Sequence, residues 1–314
     1  MGIQGSRAGG AGSEHAGRSR GLVAALATYL TWGALFPIYF KTLSAVPPLE
    51  ILAHRIVWST TFLALLVTAQ RRWGDLATGL RARRIAIYAA TGLLISGNWL
   101  TFIWAVTSGR VLEASLGYFI NPLVTVLLGA VFLGERISRR QSLAVALAAA
   151  GVLTLVVRQG SFPLVALVLA GTFSTYGLLR KKYRIDAVVG LLVETALVAP
   201  IAVLYLAYLA ARGHASFGSA GTPTSVLLVT AGVITAIPLI WFAVAVRSLR
   251  LTTMGLLQYV GPTCQLLLAV AVYREHFTRA HVVAFTCIWA SLALYTFDAL
   301  RSRRPLAAES LALD

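Results

Sequence analysis

The sequence predicts an all-α polytopic membrane protein whose ten transmembrane helices form two inverted five-helix repeats. Three observations lead there. Hydrophobic residues make up 58% of the 314-residue chain, charged residues 12%, and mean hydropathy is +0.79. A soluble domain carries about 25% charged residues, so this chain cannot cover a water-facing surface of ordinary composition. Its apolar stretches run to about 18–24 residues, enough at ~1.5 Å per residue to cross a hydrocarbon core of roughly 30 Å. The third observation is a duplication. The stretch from Arg110 to Arg136, RVLEASLGYFINPLVTVLLGAVFLGER, returns 140 positions later as RLTTMGLLQYVGPTCQLLLAVAVYREH, from Arg250 to His276. Arg110 falls on Arg250, Leu116 on Leu256, Pro122 on Pro262, Glu135 on Glu275 and Arg139 on Arg279. Shared leucines mean little in apolar sequence, but Pro, Glu and Arg in register mark an internal repeat.

Taken in order, residues 1–20 are rich in Gly, Ser and Arg and read as a disordered tail. The apolar run that follows is too long for a signal-peptide core and reads as the first membrane helix. The expected spans are about 21–40, 50–69, 85–107, 112–133, 141–157, 162–179, 187–209, 224–246, 252–273 and 280–299. Residues 21–159 form the first repeat, 160–300 the second, with the seam near Gly160, and 301–314 a second tail. Most connections are short, so neighbouring helices should be antiparallel hairpins.

Charge gives the orientation. Twenty basic residues fall in the gaps on one side, among them Arg71, Arg72, Arg136, Arg180, Lys181, Lys182 and Arg247, and six fall on the other. The richer side is cytoplasmic, which puts both termini in the cytoplasm. Five is odd, so the second repeat enters the membrane upside down, a design found in secondary transporters. The net charge of +16 is spread through these gaps and not gathered on one folded face, which argues against a nucleic-acid partner.

Ionisable groups inside a bilayer are costly and are functional candidates by default. The second span opens with Glu50, His54 and Arg55, the third carries Asn98 and Trp99, and the fourth carries Glu113, Tyr118 and Asn121. The second repeat adds Glu194, Gln258 and Tyr259. Arg55 has the most to lose without a partner, and Glu113 or Glu194 is its expected counter-charge. Glu50 and His54 stand near a span end, where they can reach interfacial water, and Asn98 can serve as glue between helices. Pro122 and Pro262 each remove a backbone donor and disturb the helix one turn earlier, which suits a substrate path or a hinge. Glu135 and Glu275 read as turn-forming anchors. Cys264 and Cys287 sit inside apolar runs as packing residues, and the five histidines are scattered, so no metal site is expected. None of the nucleotide-binding, zinc-protease or serine-hydrolase motifs occurs, so no enzyme activity is expected.

The segments WGALFPIYFK at 32–41, PPLEILAHRIVWS at 47–59, GNWLTFIWAV at 97–106, RVLEASLGYFINPL at 110–123, LGERIS at 133–138 and GLLQYVGPT at 255–263 resemble RarD-type permeases. These belong to the EamA family of the drug/metabolite transporter superfamily. The resemblance implies two EamA repeats, a bacterial inner membrane and a central cavity reached by alternating access. RarD proteins are described as chloramphenicol-sensitivity permeases, which makes a chloramphenicol-like compound one candidate solute without supplying the physiological substrate. On that reading Arg55, Asn98, Trp99, Glu113, Tyr118, Asn121, Glu194, Gln258 and Tyr259 form the candidate substrate cavity, and Pro122 and Pro262 the helix breaks. The expected partners are the lipid bilayer and a small-molecule substrate. No cofactor is expected, a buried carboxylate can carry a coupling proton, and a homodimer is left open. A passive channel or facilitator is the alternative, followed by an intramembrane enzyme.

Overall fold

Long apolar runs broken by Gly, Pro and Arg become helices throughout the computed structural model, which describes residues 5–79, 82–107, 111–159, 164–271 and 279–301. Among the described residues every regular element is helical: α1 (Gly5–Leu30), α2 (Phe36–Thr42), α3 (Pro48–Ala69), α4 (Trp73–Gly79), α5 (Ala82–Thr107), α6 (Val111–Leu133), α7 (Arg139–Gln159), α8 (Leu164–Lys182), α9 (Val188–Ala211), α10 (Thr222–Ser248), α11 (Leu251–Leu257), α12 (Val260–Ala271) and α13 (Arg279–Arg301). Among the described residues six stretches are long and apolar enough to cross a membrane: Gly17–Phe40, Pro48–Ala69, Arg84–Ala105, Arg139–Arg158, Val188–Ala211 and Thr222–Ser248. Gly117–Leu133 and Val282–Ser291 are shorter apolar helices.

Two local departures from expectation have physical causes. Helix α1 begins at Gly5, inside the segment read as a tail; its glycines favour helix poorly, but extending a helix from the adjacent span avoids the cost of a new nucleus. Between α1 and α2 the backbone widens into a π-turn over Thr31–Leu35, with the Phe36 N–H bonded to the Thr31 carbonyl. Pro37 supplies no N–H one residue further on, so the chain relieves the missing bond by a wider turn.

The two prolines behave differently. Pro122 lies inside an unbroken α6. Its neighbour Asn121 is tied to α8, since Ser174 Oγ lies 2.5 Å from Asn121 Oδ1 and 3.2 Å from its carbonyl. Ahead of Pro262 the helix breaks between α11 and α12, where the Gly261 N–H turns back to the Gln258 carbonyl at 3.2 Å. Gly261 favours helix less than Asn121 and has no side chain to hold the turn. The disturbance expected at both positions therefore appears as a break at only one.

The strongest helix pairings, α6 with α8, α7 with α13, α3 with α9 and α10, α1 with α10, α11 with α6, and α5 with α8, all join residues before 160 to residues after 163. Each half buries itself against the other, and contacts recur at the 140-residue offset. A Cβ at Gly151 would meet the Ala284 carbonyl at 2.8 Å, while Ser291 Oγ donates to the Ala144 carbonyl at 2.7 Å. Gly151 and Ser291 are equivalent positions, as are Ala144 and Ala284. Asn98 Nδ2 donates to the Leu169 carbonyl at 2.9 Å, and Thr28 Oγ1 reaches the carbonyl of Pro238, the equivalent of Asn98, at 3.2 Å. The equivalent residues Phe119 and Tyr259 touch each other, with Tyr259 Oη 3.3 Å from the Phe119 carbonyl.

Charged side chains close the helix ends. Glu135 Oε1 accepts the Leu251 N–H at 2.7 Å and its Oε2 the Thr252 N–H at 2.9 Å, so this carboxylate anchors the start of α11. Lys181 Nζ donates to the carbonyls of Val246 and Leu249 at the end of α10. Asp186 Oδ1 accepts the N–H groups of Val188 and Val189 at 3.0 and 2.9 Å, and its Oδ2 faces Arg72 at 3.1 Å and Arg247 at 3.5 Å. Partial burial pushes the Asp186 carboxyl up, but the Val189 N–H, the Arg72 guanidinium and the Val188 N–H outweigh it and hold it below the usual carboxylate range. A lowered folded value means stability that is present above the ordinary carboxylate pKa of about 3.9 and lost as pH falls through the folded one. Asp186→Asn is expected to cost about 1 kcal/mol at pH 7. Thermal unfolding in detergent should show wild type and variant converging below pH ~4; a gap that is the same at every pH would remove the carboxylate from this role.

Candidate functional site

Arg55 is buried among aromatic rings where α2, α3, α5 and α10 meet. It rises from the second turn of α3 and is 3% exposed. Its Nε donates to Thr235 Oγ1 on α10 at 2.9 Å. The guanidinium carbon lies 4.4 Å from the ring centre of Trp99, 5.1 Å from Phe40 and 5.7 Å from Phe36. The π-turn sets the register of α2, which brings Phe36 and Phe40 to the same cation and packs Phe36 edge-on to Phe40 at 5.6 Å. Aromatic faces offer negative potential, so such a cage holds a cation without neutralising it. The phenols of Tyr39 and Tyr118 are the ionisable groups that act on Arg55. Among the described residues no carboxylate forms an ion pair with it.

Glu194 does not supply that counter-charge. Its Oε2 accepts from Arg180 Nη1 at 2.6 Å, and Tyr176 Oη stands 3.3 Å away while itself accepting from Arg180 at 2.9 Å. Arg180 is 0% exposed, and its Nη2 also donates to the Asp186 carbonyl at 2.8 Å. The pairing expected with Arg55 is therefore replaced, and Arg180 is not a loop cation. It sits in the last turn of α8, folded inward across the first turns of α9. By residue count it belongs to a basic cluster between spans. Only packing reveals that one member of RKKYR turns into the protein.

The other expected residues divide among three places. Trp99 and Tyr118 join Arg55, with Tyr118 packed edge-on to Phe102 at 5.7 Å. Asn98, beside Trp99, points to α8, where Nδ2 bonds the Leu169 carbonyl and Thr172 Oγ1, both at 2.9 Å. Asn121 and Gln258 lie at a second polar spot. There Thr125 Oγ1 and Ser174 Oγ are 2.9 Å apart, and a small cavity is lined by Tyr29, Thr125, Ser174, Phe242, Met254 and Gln258. Tyr259 is buried against α6 beside that spot. Glu113 is in α6, but its side chain lies outside the described residues, as does Glu275.

Glu50 and His54 are buried, not turned to interfacial water. Glu50 is 0% exposed and accepts from Ser216 N at 2.6 Å, Ser216 Oγ at 2.8 Å and Phe217 N at 3.2 Å, which fastens the α9–α10 connection to α3. His54 Nδ1 accepts from Trp58 Nε1 at 3.2 Å, so the proton of a neutral ring is on Nε2, 4.0 Å from Glu50.

Phe36, Phe40 and Thr235 surround Arg55 without having been singled out in the sequence. Their signal was present in the motif FPIYFK at 36–41, where aromatic residues four apart share a helix face.

Residues 19–157 match the EamA-like transporter family. Protein RarD of Escherichia coli K12 is 45% identical over 286 residues, 91% of this chain and 96% of that protein. The chain is a RarD-type member of the EamA-like transporter family. An uncharacterised transporter of Vibrio cholerae is likewise 45% identical over 284 residues, 90% of this chain and 94% of its own length. As an EamA-type protein with several apolar helices, this is a multi-pass membrane protein of a transporter family. A crystal structure at 22% identity superposes with a TM-score of 0.66 over 91% of this chain and 99% of the other, a likeness of fold.

Proposed function

We propose that this EamA-type protein is a secondary transporter carrying a small organic metabolite or drug, chloramphenicol-like compounds included, across a bacterial plasma membrane by alternating access. Ten spans in two inverted five-helix repeats, with both termini in the cytoplasm, are part of the same reading. The supporting observation is the reciprocity of contacts across the halves. Gly151 meets Ala284 and Ser291 meets Ala144, so two contacts of the single α7–α13 interface exchange under a shift of 140 residues. Two halves related in this way have two equivalent ways of leaning on each other, one open to each side, and a solute between them is exposed in turn.

Arg55 would take the charged or polar end of the solute, with Trp99 and Tyr118 as walls. Asn121, Gln258 and Tyr259 would line the way at the proline level, where the break before Pro262 gives the second half a joint that the first half lacks. Protonation of Glu194 would release Arg180, which is how a proton could be coupled to the motion. The direct measurement is flux into proteoliposomes over a panel of metabolites and antibiotics, with and without an imposed proton gradient. Gradient-driven accumulation is expected. Arg55→Ala should lower it about tenfold or more, and Glu194→Gln should leave flux that no longer follows the gradient. Flux that only equilibrates in the wild type would mean a facilitator, and normal coupled flux in both variants would remove these residues from the mechanism.

A further inference from the structure

The surroundings of Arg55 carry more chemical information than its position at the meeting of the halves. A buried guanidinium has five donors in one plane and is seldom left without acceptors. Here Nε is used by Thr235, the faces of Phe36, Phe40 and Trp99 surround the guanidinium carbon, and the phenols of Tyr39 and Tyr118 are near enough to act on the charge. Rings stabilise the charge but accept few hydrogen bonds in the guanidinium plane. The arrangement holds the cation in place on its Nε side and leaves the terminal fork as the side that can bind in plane.

We propose that this fork is the recognition element for a singly charged organic carboxylate with a flat or apolar body, bound bidentately by Arg55 and flanked by Trp99 and Phe40. The inference deepens the transport reading and rests on it for the site's place on a solute path. Three features select this class. A carboxylate matches the spacing of the two terminal N–H groups, and the pair gains strength where water is excluded. One guanidinium compensates one charge, and the ionisable groups acting on it are two phenols, which add no second positive charge for a phosphate monoester dianion. The walls are aromatic on α2 and α5, so the ligand's body meets rings and not water, which favours a planar or apolar frame over a hydrated one.

The test uses the purified full-length protein in detergent, with benzoate and phenylacetate as probes and benzamide and phenylacetamide as uncharged matches of the same shape. Binding is read by displacement of radiolabelled benzoate and by the shift in melting temperature. Both acids should bind about ten- to hundredfold more tightly than their amides. Arg55→Met should erase the difference, and Arg55→Lys, which keeps the charge but loses the fork, should keep only part of it. Thr235→Val removes the bond at Nε but leaves the terminal fork; it should weaken acid binding while keeping a preference for acid over amide, so the proposal is still tested if an Arg55 variant fails to fold. Equal binding of acids and amides by the wild type, no measurable acid binding, or full discrimination in a folded Arg55→Met protein would each overturn the proposal. So would acid binding that appears only in Glu113→Gln, because Arg55 would then be neutralised within the protein. Discrimination between acid and amide without any flux would keep the anion site and remove the transport reading. Flux without discrimination would do the reverse.

Discussion

Arg180→Met and Glu194→Gln should each destabilise the protein by about 3–5 kcal/mol, and the double replacement should recover much of that loss. The two side chains are 0% and 1% exposed and meet at 2.6 Å. Neither charge has water to fall back on. Removing Glu194 leaves a guanidinium held by neutral groups, the Tyr176 hydroxyl and the Asp186 carbonyl. Removing Arg180 leaves a buried carboxylate facing only neutral hydroxyls, those of Tyr176, whose Oη lies 3.3 Å from Oε2, and of Thr91. Replacing both partners by apolar or neutral groups of similar size avoids either orphan, and buried pairs exchanged in this way are often neutral. The measurement is a double-mutant cycle from denaturant unfolding in detergent, followed by tryptophan fluorescence. Coupling below about 1 kcal/mol would mean that water reaches the pair and that its burial is not what the packing of α8 on α9 implies.

The second large effect concerns the crossing of α3 and α10. A Cβ at Gly232 would stand 2.3 Å from the Trp58 carbonyl carbon and 2.5 Å from its oxygen. These are backbone atoms, which cannot turn aside as a side-chain end can. Small residues let membrane helices approach closely, and interiors packed at crystal density have no slack to absorb a methyl group. Gly232→Ala should therefore push α10 away from α3 and cost about 1–3 kcal/mol or more. The same shift would strain the Ser59 Oγ bond to the Gly232 carbonyl at 3.1 Å and the Arg55 bond to Thr235 one turn further along. Gly97→Ala and Gly171→Ala are the controls, because a Cβ at either meets nothing within 4 Å. They should leave the melting temperature unchanged or raised, since Ala favours helix over Gly. A Gly232→Ala protein as stable as these controls would show that the crossing is looser than described. Gly92 makes the equivalent approach in the first half, 2.9 Å from the Glu194 carbonyl, and should respond in the same direction.

Much of the site was legible in part. Arg55, Trp99 and Tyr118 could be selected from the sequence because a cation and two amphipathic rings inside apolar runs are conspicuous by composition. Their meeting could not be derived, since a helical pattern gives the face of a residue but not the neighbour across it. Glu194 illustrates the limit. Its burial followed from its place in α9, yet its partner came from a cluster that reads as loop charge. The Arg180 side chain is long enough to leave a helix end and lie along the protein interior, and no periodicity records that choice. Phe36 and Phe40 were visible as a pair on one helix turn, but their use depended on the π-turn before them.

The sequence by itself pointed to a helical membrane protein, and its 140-residue repeat of Pro, Glu and Arg to a duplication. Those properties follow from local composition, from the length of apolar runs and from identity at a constant offset, none of which needs a partner across space. The tertiary structure alone decided that Glu194 answers Arg180, that rings and not a described carboxylate surround Arg55, and that one proline breaks its helix while its counterpart does not. Each depends on what the opposite helix presents at a few ångströms, and charges in a low-dielectric interior are sorted by that distance.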